Sequence, residues 1–336
     1  MPEPLVTVVI PTLAAGEALE ECLGALEGQT FRDFEVIVVD NSGNGLARSC
    51  RGADSARIIE NPRNAGFGAA VNQGLRAASA PYLATLNDDA VAQPGWLDGL
   101  VRALEPRPEA GMCASRVLLA GRGVLDSAGM LICPDGSSKQ RGHGQPATAY
   151  SRLEEVLLPS ASAALYRRTM LNEIGGFDED FFLYSEDSDL GLRARWAGWK
   201  CLYAPEAVVE HRYSHTAGRA SPQKAYFVER NRLFVLVKDF PAGALVKAPF
   251  AALARYGWHL ISILEGRGAA AQFRQEGGSA WNLAWIVLRA HLALLAAWPG
   301  LWAKRRRIRR TARIGGAEFH RLLRLHAISL REVAAL

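Results

Sequence analysis

The chain has 336 residues, 49% hydrophobic and 22% charged, which excludes a disordered polymer and leaves room for more than one structural unit. Five scattered cysteines (Cys22, Cys50, Cys113, Cys133 and Cys201) form no CxxC pair, a pattern that suggests reduced thiols in a cytosolic setting rather than a disulfide framework. The net charge of +5 is uneven: from Pro241 onward 15 Lys/Arg face 4 Asp/Glu, and before it 24 face 30, so an acidic first part and a basic tail are expected to meet different partners.

The opening MPEPLVTVVIPT has no basic n-region and no long apolar run, so no signal peptide is expected. LVTVVI at 5–10 is a β-branched run closed by Pro11 and predicts a buried strand. EALEECLGALE at 17–27 sets Leu19, Cys22, Leu23 and Leu26 at helical spacing. FEVIVV at 34–39 predicts a second strand, ended by Asp40-Asn41-Ser42-Gly43. A short strand follows at 57–59, a helix at 65–79, and a strand at 82–86 that runs into Asn87-Asp88-Asp89. Strands apolar on both faces, alternating with helices, imply a parallel sheet covered on each side. Ligands of such sheets bind beyond the carboxyl ends of the strands. The clusters Pro11-Thr12, Asp40-Asn41-Ser42 and Asn87-Asp88-Asp89 are therefore expected along one edge.

Further on, MCASRVLL (112–119), VLDSAGMLIC (124–133) and SASAALYRR (160–168) read as strands, and the Gly/Ser/Pro-rich stretch 134–149 as a mobile loop. Residues 175–200, GGFDEDFFLYSEDSDLGLRARWAGWK, hold a second dense polar and aromatic cluster. Past residue 241 the texture changes. Two apolar stretches, 244–264 and 281–303, are interrupted by Lys247, Arg255, Arg289 and His291, so neither is a clean uncharged span. Trp258, Trp281, Trp285, Trp298 and Trp302 lie here, followed by the basic run KRRRIRRTAR at 304–313. Tryptophan, apolar helix and basic cluster together suit an interfacial helix on an anionic membrane surface. A buried helical subdomain with a solvated basic face is the alternative. No nucleic-acid partner is expected, because the basic run lacks a binding module.

The adjacent carboxylates Asp88 and Asp89 repel unless a cation or donor cluster holds them. A hard cation such as Mg2+ or Mn2+ takes oxygen ligands and shares them with substrate phosphates. By itself the triplet equally describes a turn or a helix cap.

Other segments give it context. VTVVIPTL, FEVIVVDNSGNG, NAGFGAAVNQGL, YLATLNDDA and GFDEDFFLYSEDSDLGLRARWAGWK occur in this order across roughly residues 5–240. Together they resemble the family 2 inverting glycosyltransferases, in particular the bacterial rhamnosyltransferase-like branch. The resemblance implies an α/β, GT-A (Rossmann-like), mostly parallel mixed sheet flanked by helices over 1–240, and a helical, basic, membrane-associating region over 241–336. It implies that Pro11 and Thr12 line the nucleotide site, that Asp40 accepts from a pyrimidine base, and that Asn64, Gly66, Asn72 and Gly74 let helix and backbone approach the nucleoside. Helix capping and close packing explain the last four equally well. Asn87 departs from the family's D-x-D-like pattern, which leaves Asp89 as the metal ligand and Asp88 as the sugar contact. In the E-D-x-D-L-x-x-R pattern, Asp187 would be the general base, with Glu186 and Asp189 orienting acceptor and helix and Arg193 pairing with Asp189 along an amphipathic helix. Phe181, Phe182 and Tyr184 would flank a sugar cleft. His211, or its neighbour His215, would complete the metal site.

The implied activity is transfer of a hexosyl or deoxyhexosyl group, first of all rhamnosyl, from a UDP- or dTDP-sugar to a glycan or lipid-linked acceptor. It would use Mg2+ or Mn2+, in the cytoplasm on the inner face of the cell membrane. A nucleotidyltransferase and a non-catalytic sugar-binding membrane scaffold are the competing readings. The first is disfavoured because PTLAAGEALEE holds no basic residue for a phosphate loop.

Overall fold

The computed structural model describes residues 3–212, 221–266, 268, 273 and 279–335. The chain forms two compact units: residues 1–130 with 140–216, and residues 131–139 with 217–336. Against the sequence expectation of a boundary at 240/241, the helix before Asp239 and a short insert at 131–139 group with the C-terminal unit.

In the first unit the strands are β1 (Val6–Thr12), β2 (Phe34–Asp40), β3 (Arg57–Glu60), β4 (Tyr82–Leu86), β5 (Ala90–Ala92), β6 (Ala110–Leu119), β7 (Leu125–Ser127), β10 (Glu154–Val156), β11 (Ala163–Arg167) and β12 (Lys200–His211). Together they make one ten-stranded sheet among the described residues, with main order β10-β12-β6-β11-β4-β1-β2-β3. The run β4-β1-β2-β3 is parallel, as is β6-β12. β11 inserts antiparallel between β4 and β6 and joins the two parallel blocks. The small pair β8 (Met130–Ile132) and β9 (Ser138–Gln140) forms a separate sheet; β8 lies in a stretch expected to be strand and β9 in the stretch expected to be loop.

Alternation along β1 builds a core on each side of the sheet. Val6, Val8 and Ile10 face one cluster with α1 (Glu17–Glu27) and α3 (Trp96–Leu104). Val9 faces the other with α2 (Phe67–Ala77), α4 (Arg168–Ile174) and α5 (Glu186–Trp196). Burial on both faces is what makes these strands continuous apolar runs. Gly74 shows how closely α2 seats: a Cβ there would lie 2.5 Å from Val9 Cγ1. Pro11 does not end β1. The β4 ladder stops at Val9, so the missing proline N–H on that flank removes no ladder bond.

The second unit is helical. α6 (Pro222–Asp239) is capped by Ser221, whose hydroxyl accepts from the Lys224 N–H, and has proline in its first turn. α7 (Ala242–Leu264) follows, then helices Ala280–Thr311, Gly316–Leu325 and Leu330–Ala335. The 32-residue helix Ala280–Thr311 packs along α6, and its Arg305 donates to the carbonyls of Val237 and Phe240. By length and composition this helix is long and apolar enough to cross a membrane, with 11% of its most apolar window buried. The interruptions noted in sequence therefore do not prevent one continuous apolar helix.

Candidate functional site

The three strand-end clusters meet as expected. Thr12 stands in register with Asp40. Its hydroxyl donates to Asp88 Oδ2 at 2.6 Å and accepts from the Ala15 N–H at 3.0 Å. Asp88 is partly exposed. Burial pushes its carboxyl up, the Thr12 hydrogen bond opposes this, and the charge of Asp89 adds to the rise.

Asp89 and His211 come together through the register of β5 on β12, which sets His211 opposite Ala90. Asp89 Oδ1 lies 3.1 Å from His211 Nε2, and both residues are buried. Asn87 Nδ2 also reaches His211 Nε2, at 3.2 Å. On its other side His211 Nδ1 is 3.0 Å from Asp126 Oδ2. Burial disfavours a charged imidazole, but Asp126 and Asp89 outweigh it and raise the His211 pKa to about 10. The position attracts positive charge.

A divalent cation fits this donor set. A carboxylate oxygen and an imidazole nitrogen are both ligands such an ion takes, and Asp89 and His211, which would hold it, face each other in a buried position that favours positive charge. Among the described residues no group of three or more such side chains is arranged to hold an ion. Two protein ligands would thus share the ion with diphosphate oxygens and water, a usual arrangement for Mg2+. His215 lies outside the described residues.

The second acidic cluster opens α5. Except for Asp187, every residue of this helix is buried, so the amphipathic helix expected from sequence is instead enclosed all round. Its charges are matched internally: Arg193 Nε donates to Asp189 Oδ2 at 2.8 Å, and the rest of its guanidinium serves the carbonyls of Ile174, Gly175 and Gly176. Asp189 is 0% exposed, which corrects its expected contact with an acceptor. Through Arg193 it holds the helix to the 174–176 turn.

Asp187 Oδ1 accepts from the Ser188 N–H at 2.7 Å, and Oδ2 from the Ala161 N–H at 3.4 Å. Glu186 is buried, and its Oε2 has no hydrogen-bond partner among the described residues. Burial, then repulsion by Asp187, lifts the Glu186 carboxyl to about 8. Burial also raises Asp187, but the Ala161 and Ser188 N–H groups oppose this. The two carboxyls titrate as one pair; the Ala161 and Ser188 N–H groups favour the anion on Asp187, and Glu186 Oε2 has no such donor among the described residues.

The two acidic clusters share one short segment. Asp187 takes the N–H of Ala161, while the N–H of Asn87 donates to the Ser162 carbonyl at 2.9 Å. A second bridge joins the loop before α5 to the start of α2: the Phe67 N–H donates to the Phe182 carbonyl at 2.8 Å. Gly66, at φ +89, permits this, since a Cβ there would stand 2.4 Å from that oxygen. Asn64 shapes the turn by accepting from the Gly66 N–H at 2.9 Å. Phe182, Tyr184 and Ser185 all have positive φ, a run of strain of the kind found at working sites. Phe181, by contrast, is fully buried and belongs to the core.

Two expected ligand contacts prove to be structural clamps. Asp40 is 1% exposed, and its oxygens accept from the Ser42 and Ala47 N–H groups at 2.7 and 2.8 Å. Burial works against its charge, but these bonds outweigh it and hold the carboxyl below its ordinary value. In this structure it folds the 41–47 loop. Asn72 is spent on the 177–179 loop: its amide donates to the Phe177 carbonyl and to Glu179, and its oxygen accepts from the Phe177 N–H. Sequence reasoning missed Asp126 and His143. Each is a single polar residue, one in a short strand and one in a Gly-rich loop, with no spacing to single it out.

Comparison with known proteins agrees with this geometry. A family model described as glycosyl transferase family 2 matches residues 7–175. The N-acetylglucosaminyl-diphospho-decaprenol L-rhamnosyltransferase of Mycobacterium tuberculosis is 31% identical over 261 residues, 70% of this chain and 85% of that protein. The O-antigen chain rhamnosyltransferase WbaN of Salmonella anatum is 25% identical over 225 residues, 63% of this chain and 68% of that protein. Among solved structures, the mannosyltransferase PcManGT of Pyrobaculum calidifontis, in complex with GDP-Man and Mn2+, has a TM-score of 0.53 at 19% identity, covering 94% of this chain and 87% of that one. GalNAc-T7 with UDP, GalNAc and Mn2+ has a TM-score of 0.61 at 15% identity, covering 76% of this chain and 51% of that one. At such identities both structures speak for the fold alone, which is GT-A. With its motifs at the sheet edge and these relatives, the chain belongs to glycosyl transferase family 2 and is a glycosyltransferase.

Proposed function

We propose that this protein transfers a hexosyl or deoxyhexosyl group, rhamnosyl first among them, from a UDP- or dTDP-sugar to a glycan or lipid-linked glycan, with inversion. The observation that carries this reading is the 160–162 segment, which ties the carboxylate Asp187 to the strand end that bears Asp88 and Asp89. The rhamnosyl choice rests on the relatives, one of which is named for a decaprenyl diphosphate-linked acceptor.

Asp187 is the general base. It is the accessible, ionised member of its pair, and it takes the proton from the acceptor hydroxyl as that oxygen attacks the anomeric carbon. Protonated Glu186 spares it a second negative neighbour. Thr12, Asn64 and Gly66 frame the nucleotide side, Asp40 holds the loop there, and Asp88 contacts the sugar. Tyr184 stands on the acceptor side. Asp89 and His211 would hold Mg2+ or Mn2+, which when bound offsets charge on the departing nucleoside diphosphate. The decisive experiment is a donor screen that follows nucleoside diphosphate release with Mg2+ and with Mn2+, with Asp187→Asn as control. Pyrophosphate release, or normal turnover by the variant, would refute the reading.

The second unit attaches the enzyme to the inner face of the cell membrane from the cytoplasm. On α7, Phe250 is 74% and Leu264 87% exposed, and on the long helix Trp281 is 86% exposed. The long helix is thus apolar on its packed side, at Ile286, Ala290 and Leu301, and also on its open side. At the end of this helix Arg306, Arg307 and Arg310 of the basic run 304–313 are exposed, where anionic headgroups would meet them.

A further inference from the structure

Asp126 is buried, and its environment is unusual. β7 pairs with β6 as Val117↔Ser127 and Leu118↔Leu125, so Asp126 is the extra residue of a bulge. β-Bulges re-aim a side chain and recur beside active sites. Here the bulge frees both carboxylate oxygens for two rings. Oδ2 lies 3.0 Å from His211 Nδ1, and Oδ1 lies 3.1 Å from His143 Nδ1. The His143 ring is also 3.2 Å from the Asp126 carbonyl.

From this geometry we infer that Asp126 is a positioning residue: it fixes the His211 ring so that Nε2 faces Asp89, and it ties the turn that carries His143 to the same site. An imidazole whose Nδ1–H is held by a carboxylate presents its Nε2 lone pair, in the orientation a ligand needs. A carboxylate offers two equivalent oxygens, one to each ring. An asparagine keeps one side-chain oxygen, so the His211 Nδ1–H is held by a weaker, uncharged acceptor, while the main-chain carbonyl at 126 stays within reach of His143. The inference rests on the reading of Asp89 and His211 as cation ligands.

The test uses the full chain and Mn2+ alone, with free Mn2+ followed by electron paramagnetic resonance. Asp126→Asn should weaken Mn2+ binding about 10- to 100-fold. In turnover it should raise the Mn2+ concentration needed for half activity, with kcat recovering at saturating Mn2+. His143→Asn should cost much less, because it leaves the His211 bond in place. In a His211→Asn background, Asp126→Asn should add no further loss. Wild-type Mn2+ affinity in Asp126→Asn, or a full additional loss in the double variant, overturns the inference. If Asp126→Asn does not fold, Asp126→Glu must bind Mn2+ more weakly than wild type, and wild-type affinity there overturns it equally. If His211→Asn alone binds Mn2+ normally, the cation reading itself is what fails.

Discussion

Two buried charge clusters, one in each unit, are built on opposite principles. In the first unit Glu186 stands beside Asp187 with no cation paired to either among the described residues, and burial pushes both carboxyls up. In the second unit Asp135 and Glu229 are interleaved with Arg232 and Arg255. Arg255 Nε lies 2.8 Å from Asp135, both guanidiniums are paired with Glu229, and Tyr256 also donates to Glu229. Burial opposes the charge of Glu229, but Arg255 and Arg232 prevail and hold its carboxyl at about 2. Pairing of this sort secures packing. Like charges crowded together without a partner cost stability, and they are kept where a reaction needs a poised proton acceptor.

That contrast can be broken experimentally. The largest effect belongs to the unmatched pair: Asp187→Asn should lower turnover by about 10²- to 10⁴-fold while sparing donor binding and thermal stability. A variant that melts much earlier, with turnover reduced only in proportion, would make Asp187 structural. Glu229→Gln should do the reverse, costing about 3–5 kcal/mol through stranded guanidiniums, read by thermal or urea unfolding. The acid dependence has a fixed sign. Because the folded value is about 2 against an ordinary 4.5, the Glu229 contribution is complete above the ordinary value and is lost as pH falls towards the folded one. Wild type should therefore show this acid loss and Glu229→Gln should not, and parallel acid limbs would sink the assignment.

Glu186→Gln sharpens the comparison from the other side. Its folded value of about 8 lies above the ordinary 4.5, so wild type loses stability as pH rises between these values. The amide removes that cost, and its melting advantage over wild type should widen from acidic to mildly alkaline pH. An advantage independent of pH would contradict this. The smallest effect is expected on the surface: replacing the exposed Arg306, Arg307 and Arg310 by Gln should weaken binding to vesicles containing anionic lipid, more at low salt than at high. Equal binding by both forms, measured by flotation, would argue against the basic run as a membrane contact.

Much of the first unit could be read from residues alone because its signals are local. Uninterrupted apolar runs such as VTVVI and FEVIVV mark strands buried on both faces, and the polar residues that stop them mark the ligand edge. The same locality misled at α5. Its charges suggest a solvent-facing stripe, yet Asp189 and Arg193 satisfy one another in the interior, and buried Arg195 pairs with Glu155 at the surface. Asp40 and Asn72 have the residue types of ligands, but Asp40 bonds to the backbone of its own loop and Asn72 to the distant 177–179 loop.

The sequence by itself determined the family, the strand-end chemistry and the identity of both acidic clusters, since each depends on contiguous residues and their spacing. Tertiary structure alone decided which carboxylates stay unmatched, which are consumed as clamps, and that Asp126 and His143 join His211. Those outcomes depend on strand register across distant segments: the β5–β12 pairing, the bulge in β7 and the 160–162 segment between the clusters. No local spacing encodes them.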